Sequence, residues 1–298
     1  QKVSNDILIN QLDVPQDLRS KVPVLMENPK ILKPFENLTK MRAIPAYFDI
    51  DPSSLMAIFM PIFFGMMVGD VGYGIILFIV SLLLLKKVKT GIFSDLLHTI
   101  MYGSIWSIVF GFLFGEFMGT LGSAIHLQPI LLDRTDAEST MKLLYMVIGV
   151  GFVHITLGLL LGLGNAVKHH DKTHLLERGG MLIGLCGLLT LVGKMLNLLP
   201  SSINTVGYIL LTAGVVLLGA SYGAMGVILG PIEFVGLLGN ILSYLRIAAL
   251  GLASVFLAKV ANDMVGMIGN VAVGILVAGL IHTLNIVMGA FSPTIQSL

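Results

Sequence analysis

The sequence predicts an all-α integral membrane fold, a bundle of about eight transmembrane helices, on three observations. Only 12% of the 298 residues are charged and 55% are hydrophobic, about half the charge of an ordinary soluble domain. Mean hydropathy is +0.91. Apolar runs recur at about 55 to 85, 98 to 118, 141 to 166, 179 to 199, 204 to 229, 231 to 261 and 268 to 298, each far longer than a strand and near or above the length that crosses a bilayer as a helix. A net charge of +1 gives no indication of nucleic-acid binding. The single Cys186, set in an apolar segment, cannot form an intrachain disulfide.

Residues 1–54 hold seven Lys or Arg, seven Asp or Glu, and prolines at 15, 23, 29, 34, 45 and 52, which would interrupt any long helix. They read as a polar cytoplasmic lead-in without the pattern of a signal peptide, and 55–298 as the transmembrane unit. The run at 55 to 85 is either one steep helix or two short ones broken at Gly69-Asp70-Val71-Gly72-Tyr73-Gly74. Loop charge favours two. Lys86, Lys87 and Lys89, like Lys168, Lys172 and Arg178, belong on the cytoplasmic side, whereas Asp133, Asp136 and Glu138 belong outside. A hairpin at 55 to 85 then gives eight segments with both ends cytoplasmic. The segment at 98 to 118 carries a small residue every fourth position, Gly103, Ser107, Gly111, Gly115 and Gly119, a ridge on which neighbouring helices approach closely. Gly65 and Gly69 begin another.

Arg246 lies alone in GPIEFVGLLGNILSYLRIAALGLASVFLAK, with Glu233 and Lys259 at its ends. A helix would put the guanidinium roughly 20 Å from either, near the bilayer centre. It cannot lose its charge there, and insertion costs about 2.5 to 3.5 kcal/mol. Gly239, Ser243, Ala249 and Ala253 leave its helix face mostly small, suited to a partner that slides past; the other reading is a static buried salt bridge to Glu233 or Asp70. In the last run, His282, Asn285, Gly289, Ser292 and Gln296 fall within about 80° of arc. That stripe either lines an aqueous path or joins helices through hydrogen bonds. Asp70, Glu116 and His154 are the further ionisable groups in or near apolar runs. Glu116 is expected at the outer interface. His154 either bonds a carbonyl or serves an ion path.

The loop His169-His170-Asp171-Lys172-Thr173-His174 has no Cys and sits beside lysines, so it reads as a solvated turn and not a metal cluster. The chain carries no nucleotide-binding, zinc-protease or nucleophile-elbow motif. It is therefore not expected to be an enzyme by itself, nor to bind a cofactor.

SYLRIAALGLA preceded by GPIEFVGLLGN, with NPKILKPFENLTKM, IPAYFDIDPSSLMAIFMPIFFGMMVGDVGYG and IHTLNIVMGAFSPTIQSL, closely resembles the membrane half of the V-type and A-type ATPase stator subunit, called subunit a or subunit I. The likeness covers nearly the whole chain. It implies two long tilted C-terminal helices facing a rotating proteolipid ring, c or K. It also implies peripheral-stalk subunits reached through a soluble amino-terminal half, and a soluble ATPase sector and central stalk that carry the ATP chemistry. By that resemblance Arg246 faces the ring carboxylate. Glu233, Asn240, Ser243, His154, Asp70, Glu116, His282, Asn285 and Gln296 become candidates for two half-channels carrying H⁺ or Na⁺. The family pattern continues past Ser297-Leu298 to a second arginine. Ser254 stands where eukaryotic members have histidine, which implies a prokaryotic form and a prokaryotic plasma membrane. The alternative function is a secondary ion-coupled transporter with a broken helix at Asp70.

Overall fold

The computed structural model describes residues 22, 24–42, 44–46 and 49–297; most of the predicted lead-in before Lys33 lies outside them. Ten α-helices follow in order: α1 (Lys33–Arg42), α2 (Ser53–Val68), α3 (Val71–Lys87), α4 (Ile92–Phe114), α5 (Ala137–His169), α6 (Lys172–Met195), α7 (Asn204–Ser221), α8 (Gly226–Leu242), α9 (Leu245–Met267) and α10 (Val271–Ser297). Among the described residues six stretches are long and apolar enough to cross a membrane: α4, α5, α6, α7, the α8–α9 pair and α10. This is an all-α integral membrane protein. The run at 55 to 85 is two helices, broken at Gly69-Asp70. At 16 and 17 residues, α2 and α3 reach only about 24 to 26 Å each, so eight crossings is an approximate count.

Two runs read as continuous in the sequence are interrupted. The run at 204 to 229 ends at Ser221 and restarts at Gly226. The run at 231 to 261 is a kinked pair. Ser243 Oγ donates to Asn240 O at 2.6 Å, competing with the helical ladder as serine does. Arg246 N then bonds Ser243 O at 3.2 Å and Ile247 N bonds Tyr244 O at 2.8 Å, both spans of three residues. Arg246 therefore stands in the first turn of α9, just past a bend, and not in the middle of one straight helix.

Helices α2, α3, α4, α9 and α10 pack together, and α5 joins them to α6, α7 and α8. At the junction Phe63, Met66 and Met67 meet Phe114, Leu143, Val147, Ile247 and Ala248. Close approach depends on the small residues read from sequence. A Cβ on Gly65 would lie 2.6 Å from the Trp106 carbonyl carbon, and one on Gly103 would enter the Phe64 ring. The ridge is shorter than the spacing implies, because α4 ends at Phe114 and Gly115 (φ 71°) caps it in the left-handed region.

Helix α1 docks on α2 and α4 through Phe35, Leu38 and Met60. Glu36, 2% exposed, pairs with Lys40 and accepts the Asn28 backbone N–H at 2.9 Å. Burial alone would raise its carboxyl, but the hydrogen bonds from Lys40 and Asn28 outweigh it and hold the group below the usual glutamate range.

Candidate functional site

Arg246 is exposed. Its Nε donates to Ser243 O at 3.2 Å, a carbonyl that the kink releases from the ladder. Among the described residues no carboxylate pairs with it, so the static salt bridge to Glu233 or Asp70 is not formed. Ala249, Ala253, Phe256 and Val260 are exposed on the same α9 face, within about 80° of arc. A bare cation thus heads an apolar, uncovered helix face.

Behind that face, α5, α6 and α8 enclose a polar groove of about 560 Å³ lined by His154, Glu177, Arg178, Glu233, Asn240 and Tyr244. Three predicted residues, Glu233, Asn240 and His154, meet here, and Ser243 holds the kink at the groove's end. Tyr244 hydroxyl bonds His154 Nδ1, and the Phe59 and Phe63 rings pack against the imidazole, tilted at 4.3 Å and edge-on at 5.2 Å. A second cavity of about 460 Å³ shares Gly158 and Arg178 with the first and is lined by Asp49, His169, Asp171 and His174. It continues the groove to the α5–α6 loop. There His169 Nε2 pairs with Asp49 Oδ1 at 2.9 Å and His174 Nδ1 with Asp171 Oδ2 at 2.8 Å.

The other predicted residues gather on the far side of α9. His282 Nδ1 lies 2.6 Å from Tyr73 Oη, and its Nε2 3.0 Å from Asn262 Oδ1. Asn285 Nδ2 donates to Tyr73 Oη at 3.1 Å and to Ser254 O at 2.8 Å. The polar stripe of α10 therefore faces inward. It holds the bundle through hydrogen bonds, next to a small cavity of about 100 Å³ lined by Ser254, Asn285, Gly289 and Ser292. Asn285 Oδ1 and Gln296 Oε1 are buried with no hydrogen-bond partner among the described residues.

Asp70 and Glu116 are both committed to protein partners. Asp70, 1% exposed, caps α3 by accepting Tyr73 N at 2.9 Å, and also accepts Met118 N at 2.9 Å and Gly119 N at 2.7 Å. The helix break exists, and backbone donors fill its carboxylate. Glu116 is buried within the protein, where Arg134 grips it from Nε at 2.7 Å and Nη2 at 2.5 Å. Arg134, 1% exposed, also donates to Met66 O, Val68 O and Gly69 O at 3.3, 3.1 and 2.9 Å, capping the C-terminus of α2. Sequence reasoning missed it because it sits among acids in a loop read as solvated. Tyr73, Tyr244 and Asn262 were missed too. Tyr73 stands in the Gly69–Gly74 break, the one local signal that pointed at it.

The geometry defines a polytopic helical membrane protein with a polar interior on both flanks of α9 and an uncovered arginine on its outer face. Residues 2–125 match the V-type ATPase 116kDa subunit family. The chain is 33% identical to an "A-type ATP synthase subunit I" of Archaeoglobus fulgidus over 95% of its own length and 51% of that protein. It is 33% identical to the subunit I of Pyrococcus horikoshii over 97% of the chain and 45% of the relative. To the "V-type ATP synthase subunit I" of Borreliella burgdorferi it is 28% identical over 87% of the chain. The chain belongs to this family of rotary ATPase membrane subunits, and it spans about half the length of the curated relatives it matches.

Proposed function

We propose that this chain is the ion-translocating stator unit of a rotary A/V-type ATPase, with Arg246 facing the ion-binding carboxylate of a proteolipid ring. The observation that carries the reading is the exposed guanidinium, unpaired among the described residues, on the apolar α9 face of Ala249, Ala253, Phe256 and Val260. A charge left uncovered in lipid implies an anionic partner outside the chain. A ring carboxylate crosses lipid only when neutralised by its ion; beside Arg246 the anion is stabilised and the ion leaves into one half-channel. Reloading takes place from the other.

The α5–α6–α8 groove, which adjoins the cavity lined by His169, Asp171 and His174, supports the cytoplasmic half-channel, and the Asn262–His282–Tyr73–Asn285 chain supports the outer one. With both ends cytoplasmic, the polar lead-in joins a soluble amino-terminal half to the peripheral stalk, and ATP chemistry resides on partner subunits. Purification of the full-length protein from its native membrane tests the assignment: a proteolipid ring and soluble ATPase subunits are expected to accompany it. A monomer that moves a solute into liposomes would support the transporter instead.

Within this reading Glu233→Gln is expected to lower ion uptake several-fold without abolishing it, because water in a wet groove bridges a missing group. Uptake by assembled complexes in proteoliposomes, followed across pH, measures this. An unchanged rate at every pH removes Glu233 from the path.

A further inference from the structure

We infer that Tyr244 is a positioning residue for Arg246: its ring, seated between α5 and α2, sets the direction of the α8–α9 bend and so turns the guanidinium outward. The inference rests on the ion-path reading above and concerns how that path's cation is held in place.

The two halves of the bent pair are packed separately. Phe234, Leu237 and Ile241 of α8 are buried in a cluster with residues of α5, α6 and α7, whereas Ile247 and Ala248 of α9 are buried in another with residues of α2, α4 and α5. Only Ser243 and Tyr244 lie between the two helices. The Ser243 hydroxyl is turned back on Asn240 O, so it loosens the ladder and ties the bend to nothing outside its own segment. Tyr244 is the residue that reaches across.

Its seat is shaped for a ring. A Cβ on Gly151 of α5 would lie 2.7 Å from Tyr244 Cγ and 3.0 Å from Tyr244 Cβ, closer than carbon atoms pack, so the glycine is what lets the ring lie against α5. Three residues along the same helix, His154 Nδ1 bonds the hydroxyl. Phe63 of α2 meets the ring edge-on at 5.6 Å, a favoured aromatic geometry.

Arg246 follows two residues later. At about 100° per residue in an α-helix, or about 120° in a tighter three-residue turn, that step carries it roughly 200 to 240° around the axis, to the opposite side. With the tyrosine ring inward, the arginine faces out, and it is exposed. Ser243 O accepts from both Arg246 N and Arg246 Nε at 3.2 Å, so the bend that Tyr244 anchors also supplies the guanidinium with its acceptor. A misplacement of about 1 Å in a reacting group can cost about a hundredfold in rate.

The test reads the bend and the transport separately. Spin labels at Val235 and Phe256, exposed residues of α8 and α9 on either side of the bend, report its geometry in the full-length stator carrying Cys186→Ser. ATP-driven ion uptake is measured on the intact complex in proteoliposomes, with assembly shown by co-purification. Tyr244→Phe removes only the hydroxyl, and Gly151→Ala keeps every polar group while displacing the ring. Each is expected to shift or broaden the label distance and to lower uptake, by about fivefold for Tyr244→Phe and about tenfold for Gly151→Ala. A label distance unchanged in both variants would overturn the inference, since any fall in uptake would then come from the polar path and not from placement. Wild-type uptake by assembled Gly151→Ala would overturn it as well. Arg246→Ala, measured alongside, separates the two readings: a deficit there beside wild-type Gly151→Ala sinks this inference alone, whereas wild-type uptake by Arg246→Ala sinks the ion-path reading and this inference with it.

Discussion

Arg246→Ala is expected to reduce ATP-coupled ion transport by about a hundredfold or more while the complex still assembles. Without the guanidinium, a ring carboxylate that gives up its ion beside α9 is an uncompensated charge in lipid. That penalty is several kcal/mol, and each 1.4 kcal/mol on a barrier is about tenfold in rate. Assembly should survive, because among the described residues the Arg246 guanidinium hydrogen-bonds only Ser243 O and Ala249 and Ala253 already line the same face. Lys at this position should recover only part of the activity, since it sheds its proton when desolvated and arginine does not. Ion uptake at the wild-type rate by an assembled Arg246→Ala complex would remove the proposed role.

The second large effect falls on folding. Arg134→Ala is expected to destabilise the protein by about 3 to 5 kcal/mol, the cost of leaving a buried partner unpaired. Glu116 would lose both its bonds, and Met66 O, Val68 O and Gly69 O would lose their donor. The disturbance should reach α9, because a Cβ on Gly251 would lie 2.6 Å from Arg134 Nη1. Replacing both ions with apolar groups, as in Arg134→Met with Glu116→Leu, should recover part of the loss and not all of it, because the α2 carbonyls remain uncapped. Thermal unfolding of the detergent-purified protein separates these cases. An Arg134→Ala protein that melts with the wild type would show that the clamp is dispensable.

Arg134 also shows where reading from sequence stops. Its neighbours Asp133, Asp136 and Glu138 mark the segment as solvated, and local composition was all there was to read. Only the fold carries the side chain across to Glu116 and to the end of α2. The kink is a similar case. Ser243 in an apolar run reads as a small residue on a smooth face, yet its hydroxyl turns back on Asn240 O and moves Arg246 from mid-helix to a helix start.

By itself the sequence determined the membrane class, the helical segments, the break at Asp70 and the small-residue packing ridge, and it singled out Arg246. Those properties are local: in lipid a backbone must bond to itself, so apolar length and composition dictate helices, and an unneutralisable charge among apolar residues needs no tertiary information to be noticed. The tertiary structure decided which polar groups meet. It joined His154 to Tyr244 and His282 to Tyr73 and Asn262, and turned the α10 stripe inward. It also spent Asp70 on backbone donors and left Arg246 uncovered. A hydrogen bond requires partners within about 3 Å and in line, and the packing of helices distant in sequence sets that geometry.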